Sequence, residues 1–224
     1  MNIPKINIGG EYPNITHLSQ MLPLPAQTPY GNLYLKWGKI VSRLIRLNRL
    51  IEAAYRLHSQ AISQTEPVLP SPIDELSHLL EEIVYWIRKT ADELIGLSFL
   101  CEALLQKNAL PTKVEVDCIG GLLQGDHQAL RDKYAGHLEQ LQTLNNVSNA
   151  YKHSFINSDL NIMGRDEPVL FALGLLRNDL NKKEEFIGVA LGEVVRGFDA
   201  FFQAAKEYLK RWPKSNNQTV PGTI

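Results

Sequence analysis

The sequence predicts a mainly α-helical protein: a four-helix bundle with a small β-hairpin inserted before the last helix. Apolar residues recur at intervals of three and four over four long segments, which is the spacing that gives a helix one apolar face. None of these helices could bury its apolar face alone, so we expect them to pack together in a single domain. Two short apolar runs on either side of a polar stretch indicate the hairpin.

The chain is expected to begin with an extended arm over residues 1–32, because prolines interrupt this stretch and no helical spacing runs through it. The first helix is predicted from Leu33 to Ser63. A second helix begins after Ser71, where a serine cap, a proline at the first helical position and acidic residues in the first turn coincide. We expect it to end near Lys107.

The second half of the chain contains the hairpin and the last two helices. A connector rich in proline and glycine is predicted over residues 109–125, and a third helix from there to about Ile156. The hairpin strands are placed at 168–173 and 185–189, and the last helix at 190–212. The helical bundle therefore spans residues 33–212, and residues 213–224 are expected to form a disordered tail.

The composition excludes several classes of function. A formal net charge of −1 gives no bulk positive charge for binding a polyanion. Neither Cys101 nor Cys118 has a second cysteine at metal-ligand spacing. The sequence has neither an apolar run of the roughly 20 residues that span a bilayer nor a secretory leader. We therefore expect a cytoplasmic protein without membrane contact.

No cofactor or metal is expected. Glu75, His78 and Glu82 contain half of a di-iron carboxylate motif, but no second half follows, and the three residues lie opposite the apolar stripe of their helix. We interpret them as a solvated face. The Gly120-Gly121 pair lacks the strand and the Lys-Ser/Thr of a phosphate-binding loop, and no serine lies in a nucleophile elbow.

A narrow basic ridge lies on the first helix. Lys36, Lys39, Arg43 and Arg46 are separated by steps of three, four and three residues, so they share one face. Aligned cations can bind the phosphates of RNA without regard to its sequence. The alternative is that these cations pair with acidic residues of the second helix.

The third predicted helix carries amides and a histidine on one face. Its polar face consists of Gln142, Asn146, Asn149 and His153, beside an apolar stripe. His153 could transfer a proton near neutral pH, Asn149 could orient a substrate, and Lys152 could contact a phosphate. The alternative is that this face only makes hydrogen bonds across a helix interface.

This segment resembles the HEPN superfamily, helical bundles of which many are metal-independent ribonucleases. Active members carry an arginine, commonly followed by Asn, Asp or His, and a histidine four to six residues after the arginine. The stretch from Ser148 to His153 has Asn149 and His153 in place, but Ser148 occupies the arginine position. The stretch from Arg131 to His137 keeps the arginine, a following aspartate and the histidine. Both segments are candidate sites, and we favour the one with His153.

The resemblance implies a homodimer that binds RNA or cleaves it weakly as a metal-independent endoribonuclease. In that reaction His153 or His137 would transfer the proton and the ribose 2′-hydroxyl would attack. The missing arginine favours a different function, a non-catalytic module that binds a protein partner through the polar face. A third possibility is a small-molecule pocket between helices, lined by Asn149, His153 and aromatics such as Trp86 or Tyr151.

Overall fold

The structure, a computed structural model, describes residues 2–9, 21–63, 71–153, 166–174, 179 and 181–213. These residues are mostly helical, with six α-helices and one two-stranded antiparallel sheet before the last helix. The mainly α-helical class and the hairpin are therefore confirmed. Within the described ranges, none of the helices combines the length and the apolar character that crossing a membrane requires.

The first two helices have the bounds that the sequence predicts. Helix α1 is Leu33–Ser63 and helix α2 is Pro72–Lys107. The Ser71 side chain accepts a hydrogen bond from the Ile73 N–H and so caps α2. The two helices pack along one another and bury most of the predicted apolar stripes, but Leu105, which the helical spacing predicts in the stripe of α2, is 46% exposed. Ion pairs join the edges of the two helices.

The predicted third helix is wrong in its extent, because the chain forms several shorter elements there. Helix α3 is Ile119–Gln124, inside the predicted connector. Helix α4 is Gln128–Lys133, a 3-10 turn covers Ala135–His137, and helix α5 is Leu138–His153. Only α5 therefore carries the predicted polar face. Residues 154–156 of the predicted helix lie outside the described residues.

Burial of Tyr134 explains the break between α4 and α5. Its side chain is fully buried, with the ring edge-on to Phe201 at 5.1 Å and the hydroxyl 2.7 Å from Ser98 Oγ. The backbone of Tyr134 leaves the helical region (φ −106°, ψ 17°). Gly136, a poor helix former, follows soon after. Tertiary burial of one aromatic side chain thus overrides the helical spacing of the sequence.

The hairpin leads directly into the last helix. Strand β1 is Val169–Gly174, strand β2 is Glu185–Ala190, and they pair antiparallel with Val169 opposite Ala190. Helix α6 is Leu191–Leu209. The hairpin packs on α5 through β1 and on α6 through β2.

A half-buried carboxylate fixes the start of α6. Glu167 Oε2 accepts hydrogen bonds from the Tyr55 hydroxyl at 2.6 Å and from the Gly192 N–H at 3.1 Å. A Cβ at Gly192 would lie 2.3 Å from that oxygen, so a larger residue there would have to displace the carboxylate from its hydrogen bonds. His58, one turn after Tyr55, is 4% exposed, and neither of its ring nitrogens has a hydrogen-bond partner among the described residues.

The described parts of the predicted arm lie on the helices. The Ile6 N–H donates to Asn48 Oδ1 at 2.8 Å, and Asn48 Nδ2 donates to the Ile6 carbonyl at 2.9 Å. Ile6 and Ile8 are buried, as are Leu22 and Leu24. Residues 10–20 of the arm, and the predicted tail after residue 213, lie outside the described residues.

Candidate functional site

The polar face of α5 is exposed at its two ends and hydrogen-bonded in its middle. Gln142 and His153 are exposed, whereas Asn146 and Asn149 are half-buried. Gln142 Nε2 donates to Asn146 Oδ1 at 2.6 Å, one turn along the helix. Ser148 is only 1% exposed, so this side chain belongs to the core.

Asn149 is bound by an arginine from another helix. Arg88 Nη1 on α2 donates to Asn149 Oδ1 at 2.9 Å, across 61 residues of sequence. Arg88 Nε lies 3.4 Å from Asp92 Oδ2, one turn further along α2. The fold thus places a guanidinium beside Asn149, although the residue before Asn149 in the sequence is serine.

Arg88 forms part of the wall of a cleft of about 530 Å³ between α1, α2 and α5. Lys152 of α5, Lys36 of α1 and Lys89 of α2 also line it. Its aromatic residues are Tyr30 and Tyr85. The cleft is therefore a different pocket from the one that sequence reasoning placed at Trp86 and Tyr151, and it contains two of the predicted RNA-binding lysines.

Two carboxylates of α2, Asp92 and Glu93, form ion pairs with cations of the cleft. Glu93 lies 2.8 Å from Arg43 Nη1 and 3.9 Å from both Lys36 Nζ and Lys89 Nζ. Its closest cation, Arg43, does not line the cleft. Asp92 accepts a hydrogen bond from the Ile119 N–H at 2.8 Å, and burial raises its pKa despite this bond and the nearby Arg88.

Lys152 experiences the repulsion of neighbouring cations. Its ammonium group lies 5.7 Å from the ring centroid of Tyr85, within the range of a cation–π contact. Burial, followed by the charge of Arg88, lowers the pKa of Lys152, and Asp92 only partly offsets this. Burial and the neighbouring cations therefore both disfavour the charged form of Lys152.

The second candidate segment has a different environment. Arg131 lies in the last turn of α4, whereas His137 lies in the 3-10 turn beyond the break at Tyr134. The His137 ring packs edge-on against Phe201 at 6.1 Å, and burial lowers its pKa. At about 1.5 Å per residue, roughly 18 Å of α5 separates His137 from Asn149. The fold keeps the two candidate segments apart.

The basic ridge of α1 is largely paired with α2. Arg43 binds Glu93 and also lies 5.3 Å from the ring centroid of Trp86. Arg46 Nη2 lies 2.6 Å from Glu82 Oε1, and Lys36 approaches Glu93. Lys39 is exposed. The alternative interpretation of the ridge, pairing with the second helix, is therefore what the structure shows for three of the four cations.

The contribution of α2 to the site has no local signal in the sequence. Arg88, Lys89 and Asp92 lie between apolar residues of α2 and match no motif. Their role depends on which helix faces them, and no local pattern carries that information. Among the described residues, no group of three or more His, Cys, Asp and Glu side chains is placed to hold a metal ion.

Comparisons of the chain with protein-family models, with curated proteins and with solved structures gave no significant match. The resemblance to the HEPN superfamily therefore stays a prediction from the two segments that end at His153 and His137.

Proposed function

We propose that this protein is a HEPN-like RNA-binding protein whose cleft between α1, α2 and α5 contacts the phosphates of single-stranded RNA. The observation that carries the proposal is the Arg88 guanidinium, which binds Asn149 beside a cleft that also contains Lys152. The resemblance calls for an arginine next to the asparagine. Arg88 supplies that group from α2, in place of the serine at position 148.

The charges of the cleft support an anionic ligand. Lys36 and Lys89 are 3.9 Å from Glu93, which is already paired more closely with Arg43 at 2.8 Å. Their charges are therefore only partly neutralised. An arginine presents a planar fork that matches phosphate oxygens, and lysines add point charges around it.

The catalytic form of the proposal uses His153. This residue follows Asn149 by one turn on the same face of α5. As a base it would remove the proton of the ribose 2′-hydroxyl, which attacks the adjacent phosphate while a cation stabilises the added negative charge. The bond from phosphorus to the 5′-oxygen would break, leaving a 2′,3′-cyclic phosphate, and the departing 5′-oxygen would take up a proton from the protonated histidine or from water. Arg131 and His137 are the second candidate pair for this step.

We also propose a four-helix bundle and a homodimer for this protein. The four longer helices, α1, α2, α5 and α6, would form the four-helix bundle of the family. Two copies would associate as a homodimer, as active members of the family do, with the α5 face of each copy turned towards the other.

Titration of fluorescent single-stranded RNA at several salt concentrations tests the binding. The variant Lys89→Gln/Lys152→Gln should bind about tenfold more weakly, and its slope of log K against log [salt] should fall by roughly 0.7 for each phosphate that the variant no longer neutralises. The control Lys182→Gln/Lys183→Gln makes the same charge change on exposed residues before β2 and should bind like the wild type. Equally weakened binding in both variants would refute a role for the cleft.

The cleavage step has its own test. Wild-type protein should degrade single-stranded RNA in EDTA, and His153→Ala should abolish this while RNA binding persists. If His137→Ala abolishes it and His153→Ala does not, the site is the segment at Arg131. RNA that stays intact at high protein concentration would refute cleavage, and RNA binding would remain the proposed function.

A second candidate function, a protein-interaction module, is favoured by the burial of Ser148. That position is 1% exposed and holds no cation, so the arginine of active members is missing from α5 itself. In this case the polar face of α5, including Gln142, Asn146 and His153, would contact a second protein chain. His153→Ala would then weaken self-association in light scattering, and RNA affinity would be negligible for wild type and variant alike.

A further inference from the structure

The cleft has a charged end and an apolar end. It follows α2 from Tyr85 to Leu100, which at about 1.5 Å per residue is roughly 22 Å. Arg88, Lys89 and Lys152 surround the end nearer Tyr85. Leu97 and Leu100 form the other end, and Gly96 and Asp117 lie between the two ends. A ligand that fills the cleft must therefore be anionic at one end and apolar at the other.

The apolar end is shaped by chain segments outside the long helices. Tyr30 of the arm and Val114 of the connector both line the cleft. The Tyr30 hydroxyl donates to the Pro111 carbonyl at 2.6 Å, which ties the arm to the connector. Because this bond holds the hydroxyl, the Tyr30 ring is fixed as a half-buried surface on which a flat apolar group can stack.

The charge at the other end exceeds that of a single phosphodiester. Lys36, Arg88, Lys89 and Lys152 line the cleft together with three carboxylates, Asp92, Glu93 and Asp117. Glu93 is paired most closely with Arg43 from outside the cleft, so two carboxylates offset the four cations and about two positive charges remain. A phosphomonoester carries about −1.5 to −2 charges at neutral pH, whereas an internal phosphodiester carries only one. The excess of positive charge is better matched by the monoester.

The volume is that of a site for one small ligand. The cleft measures about 530 Å³, within the roughly 300–1,000 Å³ of sites that hold one small molecule. We propose that it binds the phosphorylated end of single-stranded RNA, with the terminal phosphate among the cations and the last base against Tyr30 and Leu97. This inference rests on the proposed function and names the part of the RNA that the cleft takes.

Isothermal titration calorimetry with unlabelled RNA tests this inference. Four ligands of one sequence are compared: 5′-phosphorylated, 3′-phosphorylated, hydroxyl at both ends, and a closed single-stranded circle. One phosphorylated form should bind at least about tenfold more tightly than the hydroxyl-ended and circular forms. The tighter-binding of the two phosphorylated forms identifies the end that the cleft recognises.

A substitution at the centre of the cleft separates the site from the rest of the surface. A Cβ on Gly96 would make only an ordinary contact, 3.7 Å from Asp117 Cα, so a leucine there extends into the cleft. Gly96→Leu should abolish the preference for the phosphorylated end. The control Gly120→Leu, where an added Cβ meets nothing within 4 Å, should keep it.

The possible failures are distinguishable. If the circle and the phosphorylated strand bind equally, recognition of an end is wrong and the proposed RNA binding stands. If free nucleoside monophosphates bind as tightly as the phosphorylated strand, the ligand is a nucleotide and the RNA end is refuted. If none of the RNAs binds, both proposals fail together.

Discussion

Replacing Arg88 by methionine should destabilise the protein through the carboxylate that it leaves behind. The Arg88 side chain is 12% exposed and that of Asp92 is 25% exposed, with 3.4 Å between Nε and Oδ2. Methionine keeps most of the apolar stem and removes the charge. Asp92 then stays mostly buried without its closest cation, and Asn149 loses the donor at its amide oxygen.

The magnitude follows from the burial of the pair. Removing one partner of a fully buried ion pair costs about 3–5 kcal/mol, and partial exposure of Asp92 puts this case near 3 kcal/mol. For a chain of this size that corresponds to a fall in Tm of roughly 6–12 °C. The control Arg46→Met breaks a pair whose side chains are 61% and 37% exposed, and should cost less than about 1 kcal/mol.

Urea unfolding followed by circular dichroism measures the effect, and a double-mutant cycle identifies its cause. Asp92→Asn removes the charge but keeps an oxygen for the Ile119 N–H. In the Arg88→Met background it should recover about 1–2 kcal/mol, because no buried charge is left unpaired. Destabilisation of under about 0.5 kcal/mol in Arg88→Met, or strict additivity in the double variant, would refute the reasoning.

The pH dependence of the same variant gives an independent check. Burial raises the pKa of Asp92 in the folded state, and removal of Arg88 raises it further. A carboxyl whose pKa is raised in the folded state binds its proton more readily when the protein is folded. The destabilisation that its buried charge causes therefore disappears as the pH falls through that pKa. The difference in unfolding free energy between wild type and Arg88→Met should therefore be smaller at mildly acidic pH than at neutral pH.

Three further predictions concern the scaffold. Asn48→Ala removes two hydrogen bonds to Ile6; it should cost about 1–3 kcal/mol and speed limited proteolysis of the arm, and an unchanged cleavage rate would contradict it. His58→Leu should raise the free energy of unfolding by about 1–2 kcal/mol in urea titrations, because a buried imidazole without partners among the described residues is replaced by an apolar group. Burial lowers the pKa of His58 from 6.5, so wild type should lose stability as the pH falls below that value and the leucine variant should lose less. Gly192→Ala should cost about 1–3 kcal/mol in thermal unfolding, whereas Gly136→Ala, with open space around the added methyl, should change stability by less than about 1 kcal/mol in either direction.

Much of the fold could be predicted because its signals are local. The bounds of α1 and α2 follow from apolar spacing and from the Ser71 cap, which involve residues a few positions apart. The hairpin was predictable from two apolar runs of strand length around a polar turn. The polar face of α5 follows from helical geometry alone.

The parts that were missed depend on distant residues. The break at Tyr134 arises because its side chain is buried against Phe201 of α6 and Ser98 of α2. Helix α3 begins where the Cys118 sulfur accepts the Gly121 N–H, in a stretch whose glycines indicated a connector. Neither feature has a periodic signal.

The sequence by itself determined the helical class, the hairpin and the Asn149–His153 face, because these depend on neighbours along the chain. Only the tertiary structure decided which cation stands beside Asn149. That cation is Arg88, 61 residues away in sequence, and it reaches Asn149 because α2 and α5 pack against one another. A site built from several helices depends on distances that no single segment encodes, and so the cleft could be found only in the folded chain.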